Sequence, residues 1–101
     1  LVLTEGTVVD FRRHRVMRDQ AEVDLTDREF DLLRCFAERV GRTVTRAELL
    51  RVVWGYRDMP LTRLVDNTIV RLRRKIEKDP QQPRIIRTVQ GEGYCFRPDA
   101  S

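Results

Sequence analysis

The sequence predicts an α+β domain in which short antiparallel strands come first, three helices follow, and a β-hairpin ends the chain. Two observations favour this class. Thr-x-x-Glu capping boxes stand at residues 26–29 and 45–48, and β-rich clusters are confined to the two ends of the chain. The 101 residues fit a single domain over residues 1–101, which is long enough to bury one core.

The first twenty-five residues predict a small antiparallel meander. Apolar or β-branched clusters occupy residues 1–3, 7–11, 16–17 and 23–25. Polar breaks at residues 5–6, 12–14 and 19–20 separate them, and we interpret these breaks as turns. The strands should be half-buried, with one face on the rest of the domain.

Two helices are predicted to follow, each opened by a capping box. In the first, Thr26 and Glu29 cap free backbone N–H groups, and Gly41 supplies the left-handed residue that ends a helix. Its inward face is predicted to consist of Phe30, Leu33, Ala37 and Val40. The second helix begins at the box of residues 45–48 and ends near Gly55. It carries Leu49, Leu50, Val53 and Trp54.

The third and longest helix is predicted over residues 62–78, where Thr62 caps its start and Asp79-Pro80 closes it. On a helical wheel its apolar residues lie within roughly 40° of one another. They are Val65, Ile69, Leu72 and Ile76. The opposite face has four cations and no acid, and it consists of Arg63, Asn67, Val70, Arg71, Arg74 and Lys78. We interpret Asp66 and Glu77 as partners of arginines on the same helix.

The C-terminal segment predicts a two-stranded β-ribbon. Residues 85–89 and 94–96 have β character, and Gln90-Gly91-Glu92-Gly93 lies between them. Glycine on both sides of an acidic residue is favourable hairpin-turn chemistry. The ribbon would directly follow the third helix.

Composition and the rarer residues exclude several classes of function. The 20 Lys and Arg against 16 Asp and Glu leave a formal net charge of +4, and all but two of these cations are arginine. Cys35 and Cys95 have no neighbour at metal-ligand spacing, so we predict no metal and no cofactor. His14 is a lone histidine in a predicted turn, so we expect no enzyme activity. No signal peptide or membrane-spanning run is present in the sequence, which predicts a cytoplasmic protein without membrane contact.

The segregated face of the third helix favours nucleic acid as the partner. Asn67 can bond adenine bidentately, Arg71 can do the same for guanine, and Val70 between them can meet a thymine methyl group. A short helix before it and a hairpin after it give the order of a helix-turn-helix, although the connection at residues 55–61 is longer than the usual turn. The prediction is a double-stranded DNA binder that inserts this helix into the major groove.

An ordered set of short motifs covers nearly the whole chain. The set is Leu25-Thr26, Glu29-Phe30, Leu32-Leu33, Arg46, Leu49-Leu50, Val53-Trp54-Gly55, Val65-Asp66, Ile69, Arg71-Leu72-Arg73, Lys75-Ile76, Pro83, Thr88-Val89, Gly91 and Gly93-Tyr94. With this spacing the chain resembles the OmpR/PhoB family, the C-terminal effector domains of two-component response regulators. The resemblance implies a winged helix with an N-terminal four-stranded antiparallel sheet, three helices and a C-terminal hairpin wing.

The same resemblance extends the set of candidate DNA-binding residues. Arg63, Arg71 and Arg73 match helix positions that contact DNA, and Thr88 and Tyr94 match wing positions. Arg46 and Trp54 match positions near the DNA backbone, and the alternative for Trp54 is a core residue with its indole N–H exposed. Two departures bear on sequence preference. Gln90 stands where several relatives carry an arginine, and Thr68 and Val70 replace polar or basic residues. The complete candidate set is Arg46, Trp54, Arg63, Asn67, Thr68, Val70, Arg71, Arg73, Arg74, Thr88, Gln90 and Tyr94.

Partners are also implied by the resemblance. They are direct repeats bound head to tail, RNA polymerase through Arg57, Asp58 and Met59, and a receiver domain and sensor kinase in a full-length protein. No receiver domain is present in these 101 residues, so a free monomer is expected. The alternative function is a winged-helix module that contacts RNA polymerase or another regulator. Steep salt dependence of binding would separate the DNA binder from that module.

Overall fold

The computed structural model describes residues 6–56 and 62–98. Its strands are β1 (Thr7–Asp10), β2 (Arg15–Arg18), β3 (Ala21–Val23), β4 (Thr43–Thr45), β5 (Ile86–Val89) and β6 (Gly93–Phe96). Its helices are α1 (Asp27–Ala37), α2 (Arg46–Leu49), which continues as a π-helical turn over Leu50–Trp54, and α3 (Thr62–Ile76). This order confirms the predicted α+β class with three helices, although β4 lies between α1 and α2.

The N-terminal sheet is an antiparallel meander in the order β1-β2-β3. Val16 stands opposite Val9 on one side and Val23 on the other, and Val9 and Val16 are fully buried. Asp10 holds the first turn, since its Oδ1 accepts the backbone N–H groups of Arg12 and Arg13. The described sheet has three strands rather than four. The predicted strand at residues 1–3 lies outside the described residues.

Helix α1 begins at the predicted capping box. The Thr26 hydroxyl accepts the Glu29 N–H at 3.2 Å, and the Glu29 carboxylate accepts the Thr26 N–H at 2.8 Å. The predicted end was wrong, because α1 stops at Ala37 and Val40 is 51% exposed. The chain turns away there, since the Gly41 N–H donates to the carbonyl of Phe96 and draws this segment towards the C-terminal sheet.

The predicted C-terminal hairpin is confirmed, since β5 pairs antiparallel with β6. The sheet has a third strand that was not predicted, and its order is β4-β6-β5. The third strand is the β-branched run Thr43-Val44-Thr45, whose Val44 stands opposite Tyr94 and is buried. Glycine is required at the crossing, because a Cβ on Gly93 would overlap the backbone oxygen of Val44. The hairpin is thereby fixed to the segment that opens α2.

The second capping box forms only by half. The Thr45 hydroxyl accepts the Glu48 N–H at 3.1 Å, as predicted. The Glu48 carboxylate instead accepts hydrogen bonds from Arg39 at 2.9 Å and from Arg42 at 2.8 Å. These bonds, that from Arg42 first, lower the pKa of Glu48 from its ordinary 4.5 to about 2.

A stability difference that depends on pH follows from this carboxylate. Because the pKa of Glu48 is lower in the folded chain, its contacts stabilise the fold above pH 4.5, and this contribution is lost as the pH falls to about 2. We expect Glu48→Gln to be less stable than the parent at pH 6 and nearly equal to it at pH 2. Urea unfolding at both pH values measures this. Glu22→Gln, which removes the same charge from an exposed pair with Arg15, is the control. A Glu48→Gln deficit that stayed constant with pH would contradict the assignment.

Helix α3 buries the predicted stripe, since Val65, Ile69, Leu72 and Ile76 are all fully buried. It ends at Ile76 rather than at residue 78. Glu77 then turns inward, where its carboxylate accepts the backbone N–H groups of Arg84, Ile85 and Ile86 at 2.8 to 3.1 Å. The interpretation of Glu77 as a partner of arginines on its own helix was therefore wrong.

The core lies between α1, the inward stripe of α3 and the C-terminal sheet, where Phe36 and Phe96 stack with ring centroids 5.9 Å apart. Cys35 and Cys95 are buried free thiols. His14 is exposed and stacks on Phe30 at 4.6 Å. None of the described helices is both long and apolar enough to cross a bilayer.

Candidate nucleic-acid interface

The outward side of α3 carries five of the six residues predicted for it, whereas Lys78 lies after the end of the helix. Arg63, Asn67, Val70, Arg71 and Arg74 are all exposed, and we call these five the reading face. Val70 is 43% exposed and is the apolar side chain of this face. The helix therefore presents hydrogen-bond donors, an amide and one apolar group to whatever docks on it.

No carboxylate of the described residues forms an ion pair with the reading face. In the described residues, Arg63, Arg71 and Arg74 form no ion pair, whereas pairs occur elsewhere, for example between Arg15 and Glu22 at 3.6 Å. Residues 6–56 and 62–98 also contain no cluster of three His, Cys, Asp or Glu side chains suited to a metal ion. The charge of the reading face is thus left available to an anionic partner.

Asp66 joins three elements at the start of α3. Its Oδ1 accepts from Nε of Arg46 in α2 at 2.8 Å and from the hydroxyl of Tyr94 in β6 at 2.5 Å. The bond to Asp66 raises the pKa of the Arg46 guanidinium, and burial followed by this bond raises the pKa of Tyr94. The pairing of Asp66 with arginines on its own helix was a wrong interpretation. Asp66 instead fixes α2 and the C-terminal sheet to α3.

Arg73 faces the C-terminal sheet rather than solvent. Its guanidinium donates to the carbonyl of Ile86 at 2.7 and 3.0 Å and to the Thr88 hydroxyl at 2.9 Å. Arg73 and Arg46 lie over the Tyr94 ring, at 5.4 and 5.2 Å from its centroid. Burial lowers the pKa of Arg73, although an arginine remains charged. Arg46, Arg73, Thr88 and Tyr94 are therefore brought together with Asp66 as a joint between helix and hairpin.

Several predicted residues lie away from that joint or from solvent. Thr68 is buried and its hydroxyl donates to the carbonyl of Leu64 at 2.8 Å, so its side chain is not offered on the reading face. Trp54 is half-buried and packs against the core. Gln90 is exposed at the hairpin turn beside Glu92. Arg57, Asp58 and Met59 fall outside the described residues.

Sequence reasoning missed the role of Asp66, and no local signal marked it. Its partners are 20 and 28 residues away, at Arg46 and Tyr94. Helical spacing places other arginines nearer to Asp66 along α3, and it therefore predicts partners on the same helix. Only the contact between α2, α3 and β6 in the folded domain distinguishes pairing within α3 from pairing with Arg46 and Tyr94.

A family model described as transcriptional regulatory protein, C terminal, matches residues 20–96. Among individual proteins, the chain is 45% identical over 98 residues to the DNA-binding response regulator MtrA of Mycolicibacterium smegmatis, covering 96% of this chain and 43% of MtrA. It is 41% identical over 92 residues to the probable transcriptional regulator ycf27 of Porphyridium aerugineum, covering 88% and 38%. The chain thus spans less than half the length of these curated relatives.

Solved structures of similar shape come from the same class of protein. The DNA-binding domain of Klebsiella pneumoniae RstA, solved in complex with RstA box, superposes with a TM-score of 0.84 at 31% identity, covering 97% of this chain and 96% of that one. The response regulator DrrB of Thermotoga maritima, an OmpR/PhoB homologue, superposes with a TM-score of 0.82 at 35% identity, covering 93% and 42%.

Proposed function

The chain belongs to the family of transcriptional regulatory protein C-terminal domains, and from this premise we propose that it binds double-stranded DNA sequence-specifically and regulates transcription. The observation that carries the proposal is the reading face, whose arginines have no carboxylate partner within the described chain. DNA offers a regular array of phosphates together with base edges, which suits a face of cations, one amide and one apolar side chain.

The helix α3 enters the major groove with its reading face towards the bases. A major groove about 12 Å wide admits an α-helix, and exposed side chains on one side of that helix reach the base edges. Arg71 and Asn67 are the proposed base readers, and Val70 is the proposed contact for a thymine methyl group. Arg63 and Arg74 stand at the two ends of the face, where the phosphate strands border the groove.

The hairpin of β5 and β6 is the proposed wing, and it lies on the DNA beside the site that α3 reads. Gln90 at its tip and the exposed Thr88 approach the DNA backbone, while Arg46 and Tyr94 hold the wing against the helix through Asp66. Glu92 places a negative charge at the tip, so we expect the wing to contribute less affinity than α3. Thr68 is left out of the contact set because its side chain is buried.

The wider setting is proposed from the family resemblance and not from the described residues. In a longer protein this domain would be the output part of a cytoplasmic response regulator, driven by a receiver domain and a sensor kinase. Two copies would bind direct repeats head to tail, with monomers in free solution. RNA polymerase contact through residues 57–59 would accompany DNA binding. No enzyme activity and no cofactor are part of this proposal.

Selection of duplexes from a random pool, followed by a salt titration on the selected duplex, tests the DNA proposal. We expect affinity to fall with log salt at a slope near −0.9 for each phosphate neutralised. We also expect the selected duplex to bind about 10³-fold or more tightly than a shuffled duplex of the same length and composition. Equal affinity for both duplexes, or affinity independent of salt, would sink the proposal.

A further inference from the structure

Three cations converge beyond the C-terminal end of α3, outside the reading face. Arg18 at the end of β2, Lys78 after α3, and Arg84 before β5 line a surface cavity of about 270 Å³ together with Asp19. We call Arg18, Lys78 and Arg84 the outer cluster. It joins segments that are far apart in the sequence, so no sequence motif marked it.

The outer cluster is not neutralised by neighbouring acids. Within residues 6–56 and 62–98, none of its three side chains forms an ion pair, although Asp19 borders the same cavity. The C-terminus of a helix carries partial negative charge and attracts cations. At the end of α3 this cation is Arg18, which donates to the carbonyl of Lys75 at 3.4 Å. Lys78 and Arg84 are exposed and donate no side-chain hydrogen bond within the described chain. The helix end therefore explains the position of Arg18 but not the positions of Lys78 and Arg84.

The outer cluster is continuous with the proposed DNA surface. A groove lined by Val70, Arg74 and Pro83 runs between α3 and the wing. Pro83 also borders a second concavity with Arg84 and Arg87, and Arg84 borders the cavity of the outer cluster. Positive charge thus extends from the reading face, past the end of α3, towards the N-terminal sheet.

In a complex in which α3 crosses the major groove, the length of the helix would place this charge opposite a phosphate strand. Its 15 residues span about 22 Å at 1.5 Å per residue, against a major groove about 12 Å wide. When the middle of α3 lies over the bases, its C-terminal end extends past the groove edge. A cluster of cations at that end then faces DNA backbone and no base edge.

We propose that the outer cluster is a second phosphate-binding site, which holds the DNA backbone flanking the sequence that α3 reads. The ligand class is a backbone phosphodiester, and the site adds affinity without adding sequence preference. This inference rests on the proposed function, since it requires α3 to occupy the major groove. It extends the expected DNA footprint beyond the helix and the wing.

The test compares two duplexes, one that ends at the selected site and one extended by about one helical turn on both sides. For Lys78→Gln/Arg84→Gln, we expect the salt slope on the long duplex to fall by about 1.8, which is two phosphates at 0.9 each. The affinity gap to the parent should then shrink about tenfold between 50 and 200 mM salt. On the short duplex, double variant and parent should agree. The single variants should each account for about half of the change.

Arg12→Gln is the single-charge control, because Arg12 is an exposed cation in the turn at the other end of β2 and forms no ion pair with the residues that the structure describes. Circular dichroism checks that all variants are folded. If the parent binds the long duplex but the double variant follows Arg12→Gln on it, the outer cluster is not a phosphate site. If the double variant loses only the second copy on a direct repeat, the cluster contacts protein and the inference is wrong. A parent that binds neither duplex overturns the proposed function itself.

Discussion

Replacing Arg71 with Ala should cost roughly 1–3 kcal/mol of binding free energy on the preferred duplex, a loss of roughly 5- to 150-fold, and should relax specificity at one base pair. Arg71 is exposed and has no ion pair in the described part of the chain, so its guanidinium is available to a guanine edge. Anisotropy titrations on the selected duplex and on its single-base variants measure both effects.

A matched charge removal separates base reading from general attraction. Arg12→Ala takes one exposed cation from the N-terminal turn, far along the chain from α3. We expect it to weaken all duplexes slightly and equally. If Arg71→Ala behaved in the same way, with no change in base preference, our assignment of Arg71 as a base reader would be wrong.

Replacing Ile69 with Ala should cost about 2–5 kcal/mol of unfolding free energy. Ile69 is fully buried on the inward stripe of α3, so the change leaves a cavity between the helix and the core. Urea unfolding followed by circular dichroism measures the loss. Below the unfolding transition, the folded fraction should bind the selected duplex with nearly parental affinity, because Ile69 does not reach the reading face.

The next residue along the helix provides the control. Val70→Ala lies on the reading face and should change stability by no more than about 0.5 kcal/mol, since surface substitutions rarely do more. Its expected effect is on binding to duplexes that carry a thymine methyl group at the contact. A stability loss at Val70 as large as that at Ile69 would refute the assigned orientation of α3.

Local patterns predicted the parts of the fold that depend on neighbours in sequence. The capping box of α1 needs only Thr26 and Glu29, and both of its hydrogen bonds form. The inward stripe of α3 follows from helical periodicity, and each of its four residues is buried. The reading face follows from the same periodicity, so its exposure is confirmed, although its contacts with DNA stay a prediction.

Features that depend on distant partners were missed or misread. Thr43-Val44-Thr45 is too short for a strand to be recognised without its partner β6, although its β-branched residues are typical of strands. Arg73 was predicted as a DNA contact, and its hydrogen bonds to Ile86 and Thr88 could not be inferred from spacing along α3. When a charged residue has several possible partners, the local sequence does not indicate which of them it contacts in the folded chain.

The buried carboxylate of Glu77 fixes the position of the C-terminal hairpin relative to α3, which bears on the choice of DNA sequence in the proposed complex. Glu77 directly follows α3, and its carboxylate accepts three successive backbone N–H groups, the last of which belongs to the first residue of β5. In the proposed DNA complex the wing would therefore keep a fixed position relative to α3. A duplex whose groove does not fit this fixed arrangement of α3 and the wing must deform, and the deformation energy depends on the DNA sequence. Base pairs that no side chain touches then contribute to selection through their stiffness.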